Sequence, residues 1–166
     1  TLGGHEGLMY FTLGQRQGIG LGGIKGKEQD SWYVAHKDLA SNELTVVQGN
    51  ENKLLLSEGC FVDDIHWINE RPESEFECDV QIRYKSLPVR SRVKKLTTGY
   101  KISFTKPQLA VTPGQSAVIY DRDECLGGSV IRERISQDFY NWATNRGYNY
   151  KVYGCLLYTS DAADDP

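Results

Sequence analysis

Gly18, Gly20 and Gly23 stand at the G-x-G-x-x-G spacing. Between a strand and a helix, that spacing brings backbone amides against a pyrophosphate. The context is wrong here. Gln15-Arg16-Gln17 precedes and Ile24-Lys25-Gly26-Lys27-Glu28-Gln29 follows, so the segment reads as a turn region and not as a dinucleotide site. No G-x-x-x-x-G-K-[ST], G-x-S-x-G or H-E-x-x-H occurs. Cys60, Cys78, Cys125 and Cys155 are far apart, and His5, His36 and His66 are equally scattered. That spacing argues against a structural zinc site and a disulfide scaffold, and for a reducing, cytoplasmic setting. Asp63-Asp64 and the series Glu73, Glu75, Glu77 could be imagined as acid–base carboxylates. The Glu series alternates along one strand face, a pattern that solvation explains. No nucleophile–base pair emerges, and the chain as it stands is not expected to be a self-sufficient catalyst.

The charge pattern says more. The 166 residues carry a net charge of -3. From Val80 to Tyr120 there is no Asp or Glu, while Arg83, Lys85, Arg90, Arg92, Lys94, Lys95, Lys101 and Lys106 contribute +8, leaving the remainder at -11. A basic segment in an acidic chain suggests a localised anionic partner, against the plainer reading of a solvated face. Hydrophobic residues at 39% and charged residues at 25% are those of an ordinary globular protein. No apolar run approaches the roughly 18–20 residues of a membrane span. The start lacks a signal-peptide pattern and an initiator Met, as expected of a piece of something longer.

The elements that carry these residues are strands. The Gly-rich first 30 residues imply turns, with only Leu8–Leu13 able to form a short helix or strand. Trp32–His36 and Leu44–Val47 read as strands joined by a turn, and Gly49–Asn52 as a polar break. Beyond it, Phe76, Cys78, Val80, Ile82 and Tyr84 alternate with polar residues in a strand that Pro88 ends. Val89–Lys94 and Tyr100–Thr105 alternate likewise, with a hairpin turn at Thr97-Thr98-Gly99. Ala117–Tyr120 and Cys125–Arg132 follow the Pro113-Gly114 turn. Short strands at this spacing indicate a small barrel or sandwich. Arg83, Lys85, Arg90, Arg92, Lys94 and Lys101 fall on the polar faces of three successive strands, where like charges repel. Such a face is better explained by a nucleic-acid partner than by folding.

Several strings, in order and spacing from about Leu2 to Ile135, resemble the C-terminal half of the tRNA-specific 2-thiouridylase family. They are His5-Glu6-Gly7-Leu8-Met9-Tyr10-Phe11-Thr12-Leu13-Gly14-Gln15-Arg16, Trp32-Tyr33-Val34, Arg83-Tyr84, Thr112-Pro113-Gly114-Gln115-Ser116-Ala117 and Cys125-Leu126-Gly127-Gly128. The resemblance implies an all-β fold: a truncated small central β-domain over residues 1–53, then a six-stranded antiparallel β-barrel over 54–135, similar to the second domain of translation elongation factors. Residues 136–166 have no family counterpart, and 155–164 resemble a translated sequencing adapter.

In that family, ATP and Mg serve to adenylate the wobble uridine of tRNAs for Lys, Glu and Gln. A protein persulfide, loaded by a sulfur-relay protein, then gives 2-thiouridine. The resemblance implies that the nucleotide loop and catalytic cysteines lie upstream of Thr1, so that this piece is inactive alone and binds no cofactor. None of the four cysteines matches a catalytic one. The positions that match family tRNA contacts are Arg83, Tyr84 and Gln115. Arg83 can pair with a phosphate or base edge, Tyr84 can stack on a base, and Gln115 can hydrogen-bond to one. Periodicity puts Arg83 and Tyr84 on opposite faces unless the strand ends or bulges near Ser86-Leu87-Pro88. Tyr84 could instead be a barrel-core aromatic, and Gln115 a turn residue bonding its own backbone. Gln15 and Arg16 match the family string without being assigned as contacts. The competing readings are a non-catalytic β-barrel RNA-binding module of a translation-related protein, and a structural barrel whose basic face meets an acidic protein.

Overall fold

A computed structural model describes residues 2–21, 30–70 and 73–146. Gly22, Gly23 and the expected adapter at 155–164 lie outside the described residues. Leu8–Tyr10 is a single 3-10 turn, and Lys37 Nζ donates to the carbonyl oxygens of Leu8 (3.4 Å) and Phe11 (2.7 Å). Strands β1 (Trp32–Asp38) and β2 (Glu43–Gln48) form an antiparallel hairpin. Both of its faces are covered. Val34 packs with Phe11 and Leu13 on one side, while Ala35 and Val47 pack with Leu55 on the other.

The rest is β3 (Leu56–Val62), β4 (His66–Trp67), β5 (Glu75–Gln81), β6 (Val89–Lys95), β7 (Tyr100–Leu109), β8 (Ser116–Asp121) and β9 (Glu124–Ile135). The order β3-β7-β6-β5-β8-β9, closed by β3–β9 pairing, makes the expected six-stranded antiparallel barrel, with the two-residue β4 added to β9. Closure removes the sheet edges. Alternate residues fill the inside: Cys78 and Val80 of β5, Val93 of β6, Ile102 and Phe104 of β7, Ala117 and Ile119 of β8. The β6–β7 hairpin turns at Gly99, whose φ of 72° favours glycine and where a Cβ would strike the Val62 carbonyl.

A helix, α1 (Gln137–Asn145), follows directly on β9. Ser136 Oγ caps it by accepting from Phe139 N, and Phe139, Tyr140 and Ala143 are buried. Arg134 ties helix, barrel and hairpin together. Its Nη1 donates to Leu54 O and its Nη2 to Ala35 O, each at 3.0 Å, and its guanidinium lies 4.2 Å from the Phe139 ring centroid.

Two expectations fail. The strand expected to run to Tyr84 ends at Gln81, and residues 82–86 form a turn. The acid-free segment suggested a basic face without acidic partners, but Arg90, Arg92 and Lys94 of that face have them. Cross-strand register sets Glu75, Glu77 and Asp79 of β5 opposite Lys94, Arg92 and Arg90 of β6. Arg90 reaches Glu77 at 3.2 Å and Asp79 at 4.0 Å; Arg92 reaches Glu77 at 3.4 Å and Glu75 at 3.7 Å; Lys94 reaches Glu75 at 3.7 Å. Hydrogen bonds from Arg90 and Arg92, then their charge, hold the Glu77 carboxyl below the usual carboxylate range. The acids sit just before the acid-free window, so a linear count misses the pairing that an antiparallel sheet makes.

Candidate nucleic-acid interface

One end of the barrel meets the N-terminal segment in an open groove of about 730 Å³. Its walls are Thr12–Gln15, Gln81–Tyr84 and Gly114–Ser116, with Val118 and Tyr120. It brings together the three residues singled out from sequence: Arg83, Tyr84 and Gln115.

Arg83 spans the junction. Its Nη2 donates to Leu13 O at 3.0 Å and to Ala110 O at 2.9 Å, joining the N-terminal segment to the barrel. Gly14 allows the approach: its φ is +76°, and a Cβ there would collide with Ala110 Cβ. Burial lowers the Arg83 pKa below its ordinary value, and its Nε is enclosed without a hydrogen-bond partner among the described residues. Arg83 is therefore a strut first, with Nη2 already committed to the fold.

Tyr84 is the opposite case. At 93% exposure its ring is bare, so it is not a core aromatic. The end of β5 at Gln81 removes the conflict of faces, because Arg83 and Tyr84 sit on a turn and not in an alternating strand.

Gln115 closes the Thr112-Pro113-Gly114-Gln115 turn through its N–H to Thr112 O at 3.2 Å, with Gly114 at φ +88°. Its backbone carbonyl accepts from Ile131 N at 2.7 Å. Its side-chain Oε1 is enclosed and has no partner among the described residues. An unmet buried polar atom costs on the order of 1–3 kcal/mol, so two of them beside one groove are an unusual concentration.

Gln15 is spent on its own loop, its Oε1 accepting from Thr12 N and its Nε2 donating to Gln17 O. Sequence reasoning missed Gln81 and Tyr120, which complete the wall. The signal for Gln81 was available: it is the amide that follows Glu75, Glu77 and Asp79 at period two.

Among the described residues no three His, Cys, Asp or Glu side chains converge to hold a metal. Burial pushes the Cys60 and Cys78 thiols up to about 12, the wrong direction for a nucleophilic thiolate.

Fold and groove together define a β protein of two joined parts. Residues 1–48 match a family model described as the tRNA methyl transferase PRC-barrel domain, and residues 57–131 one described as the aminomethyltransferase beta-barrel domain. The chain is 46% identical over 137 residues to the tRNA-specific 2-thiouridylase MnmA of Histophilus somni strain 129Pt, covering 81% of this chain and 36% of the relative. It is 45% identical over 139 residues to that of Serratia proteamaculans strain 568, covering 82% and 38%. The chain belongs to the tRNA-specific 2-thiouridylase family, a family of tRNA-modification enzymes. It spans a little over a third of the length of these curated relatives.

Proposed function

We propose that this chain is the tRNA-holding portion of a tRNA-uridine 2-sulfurtransferase. The parent enzyme makes 2-thiouridine at the wobble position by ATP-dependent adenylation followed by persulfide sulfur transfer, in the cytoplasm. The groove holds tRNA beside the reacting uridine. Tyr84 stacks on an unpaired base, Gln115 turns its amide to a base edge, and Arg83 offers the guanidinium edge that the fold leaves over. ATP, Mg, the catalytic cysteines and the sulfur-relay contact belong to parts of the parent enzyme outside this chain. The tRNAs for Lys, Glu and Gln are the expected substrates.

The observation that carries this reading is Tyr84. A 93% exposed tyrosine on a braced turn, at the mouth of a groove with unmet polar atoms, has no role in folding that accounts for it. Fluorescence titration of the chain with unmodified tRNA for Glu, at two salt concentrations, tests it. Binding that weakens with salt and prefers this tRNA over an unrelated RNA hairpin is expected. Equal binding of both RNAs would favour the non-catalytic RNA-binding module, and no binding to either would set tRNA docking elsewhere in the parent enzyme.

A further inference from the structure

Gln81 is the last residue of β5 and continues the outward register of Glu75, Glu77 and Asp79. Both the oxygen and the nitrogen of its side-chain amide are engaged. Nε2 donates to Tyr84 O at 3.1 Å and to Ser86 O at 2.8 Å. Oε1 accepts a long bond of 3.5 Å from the Tyr120 hydroxyl on the adjacent β8. Ser86 closes the same turn from within, its N and Oγ both donating to Arg83 O, at 3.0 and 2.9 Å.

The turn lies beyond Val80 and Val89, the last register pair of β5 with β6. The Gln81 side chain spans the turn where the ladder no longer does, beside Ser86 and beside Arg83, which ties the turn to Leu13 and Ala110. A carboxylate at this position would set oxygen against two carbonyl oxygens, so the change from acid to amide at the end of the β5 series has a chemical reason. The part held in place is the backbone of Tyr84, whose exposed ring has little packing of its own to fix it.

We propose that Gln81, oriented by Tyr120, is a positioning residue for RNA docking: its amide fixes the turn that presents Tyr84 to an unpaired base. The inference rests on the docking role given to Tyr84 above. Bracing of this kind moves the cost of ordering from binding to folding, so it is read in affinity.

The test titrates the full 166-residue chain with an unmodified tRNA transcript for Glu, with thermal melts alongside. The variants are Tyr84→Ala, Gln81→Met, Tyr120→Phe, and each of the latter two combined with Tyr84→Ala. Met keeps the side-chain length and removes donor and acceptor without adding charge. Gln81→Met is expected to weaken binding roughly 3–10-fold, Tyr120→Phe about 2-fold, and neither to add anything once residue 84 is alanine. An equal loss in both backgrounds would mean a general structural effect and overturn the proposal. Wild-type affinity for Gln81→Met, where Tyr84→Ala binds weakly, would overturn it and leave the docking reading intact. Wild-type affinity for Tyr84→Ala would remove the docking role of Tyr84 and this inference with it. Should the Gln81→Met melt show an unfolded chain, Tyr120→Phe decides: a loss that vanishes with Tyr84→Ala supports the proposal, and wild-type affinity overturns it.

Discussion

The outer face of β6 and the Arg83–Tyr84 wall of the groove look alike in the sequence, where both lie in the basic stretch from Val80 to Tyr120. In the fold they are opposites. On the sheet face, Arg90, Arg92 and Lys94 each reach a carboxylate within 4.0 Å. At the groove, Arg83 donates to carbonyl oxygens, and among the described residues it meets no carboxylate and its Nε and the Gln115 Oε1 have no partner. A run of basic residues points to an anionic partner only after strand pairing has cancelled what it can. What remains at the groove is one strut, one bare ring and unmet polar atoms.

Breaking the groove's frame has the largest expected effect. Gly14→Ala forces a positive φ on a residue with a Cβ and drives that Cβ into Ala110. A stability loss of about 2–5 kcal/mol follows from left-handed strain plus overpacking, read as a lower denaturation midpoint. The same strain displaces Leu13 from Arg83, so RNA binding falls with it.

Acid separates the sheet face from a buried group elsewhere. Burial, then the nearby Arg134, lowers the His36 pKa to about 4. The unfolded chain, with a pKa near 6.5, binds the proton first, so stability falls as pH drops from about 6.5 to 4. The total is roughly 3 kcal/mol and its slope stays below about 1.4 kcal/mol per pH unit. The Glu77 carboxyl is held below its usual range, so its contribution is present above the unfolded pKa and lost only as pH falls through the folded one. Denaturation at a series of pH values should show the His36 loss first, and His36→Gln should remove it.

Tyr84→Ala bears on the groove alone. Loss of base stacking is worth about 1–3 kcal/mol, or roughly 5–150-fold in tRNA affinity, with the melting temperature unchanged because the ring is solvent-exposed in the free protein. The smallest effect belongs to the sheet face. Glu77→Gln should leave the chemical-denaturation midpoint almost unmoved, because its ion pairs with Arg90 and Arg92 are solvent-exposed.

The barrel was legible where one face of a strand is wet. Phe76, Cys78 and Val80 alternate with Glu77 and Asp79, and β6, β7 and β8 read the same way. β3 was not, because Gly59–Val62 are buried on successive positions between β7 and β9 and no alternation survives. α1 was hidden by the reading of everything past Ile135 as tail, although Ser136 caps it and Phe139, Tyr140 and Ala143 follow helical spacing. At the groove, the resemblance supplied Arg83, Tyr84 and Gln115. Periodicity misled there, since Ile82 and Tyr84 prolong the alternation on paper while Gln81 turns the backbone out of the strand. Which basic residues are paired depends on cross-strand register, which a linear count does not contain.

The most direct measurement is the tRNA affinity of Tyr84→Ala beside Arg92→Ala, by fluorescence titration at one low salt concentration. Tyr84→Ala should weaken binding at least fivefold, and Arg92→Ala, which removes a cation already paired with Glu75 and Glu77, should change it less than about twofold. A larger loss from Arg92→Ala than from Tyr84→Ala would place the RNA on the sheet face and contradict the assignment of the groove.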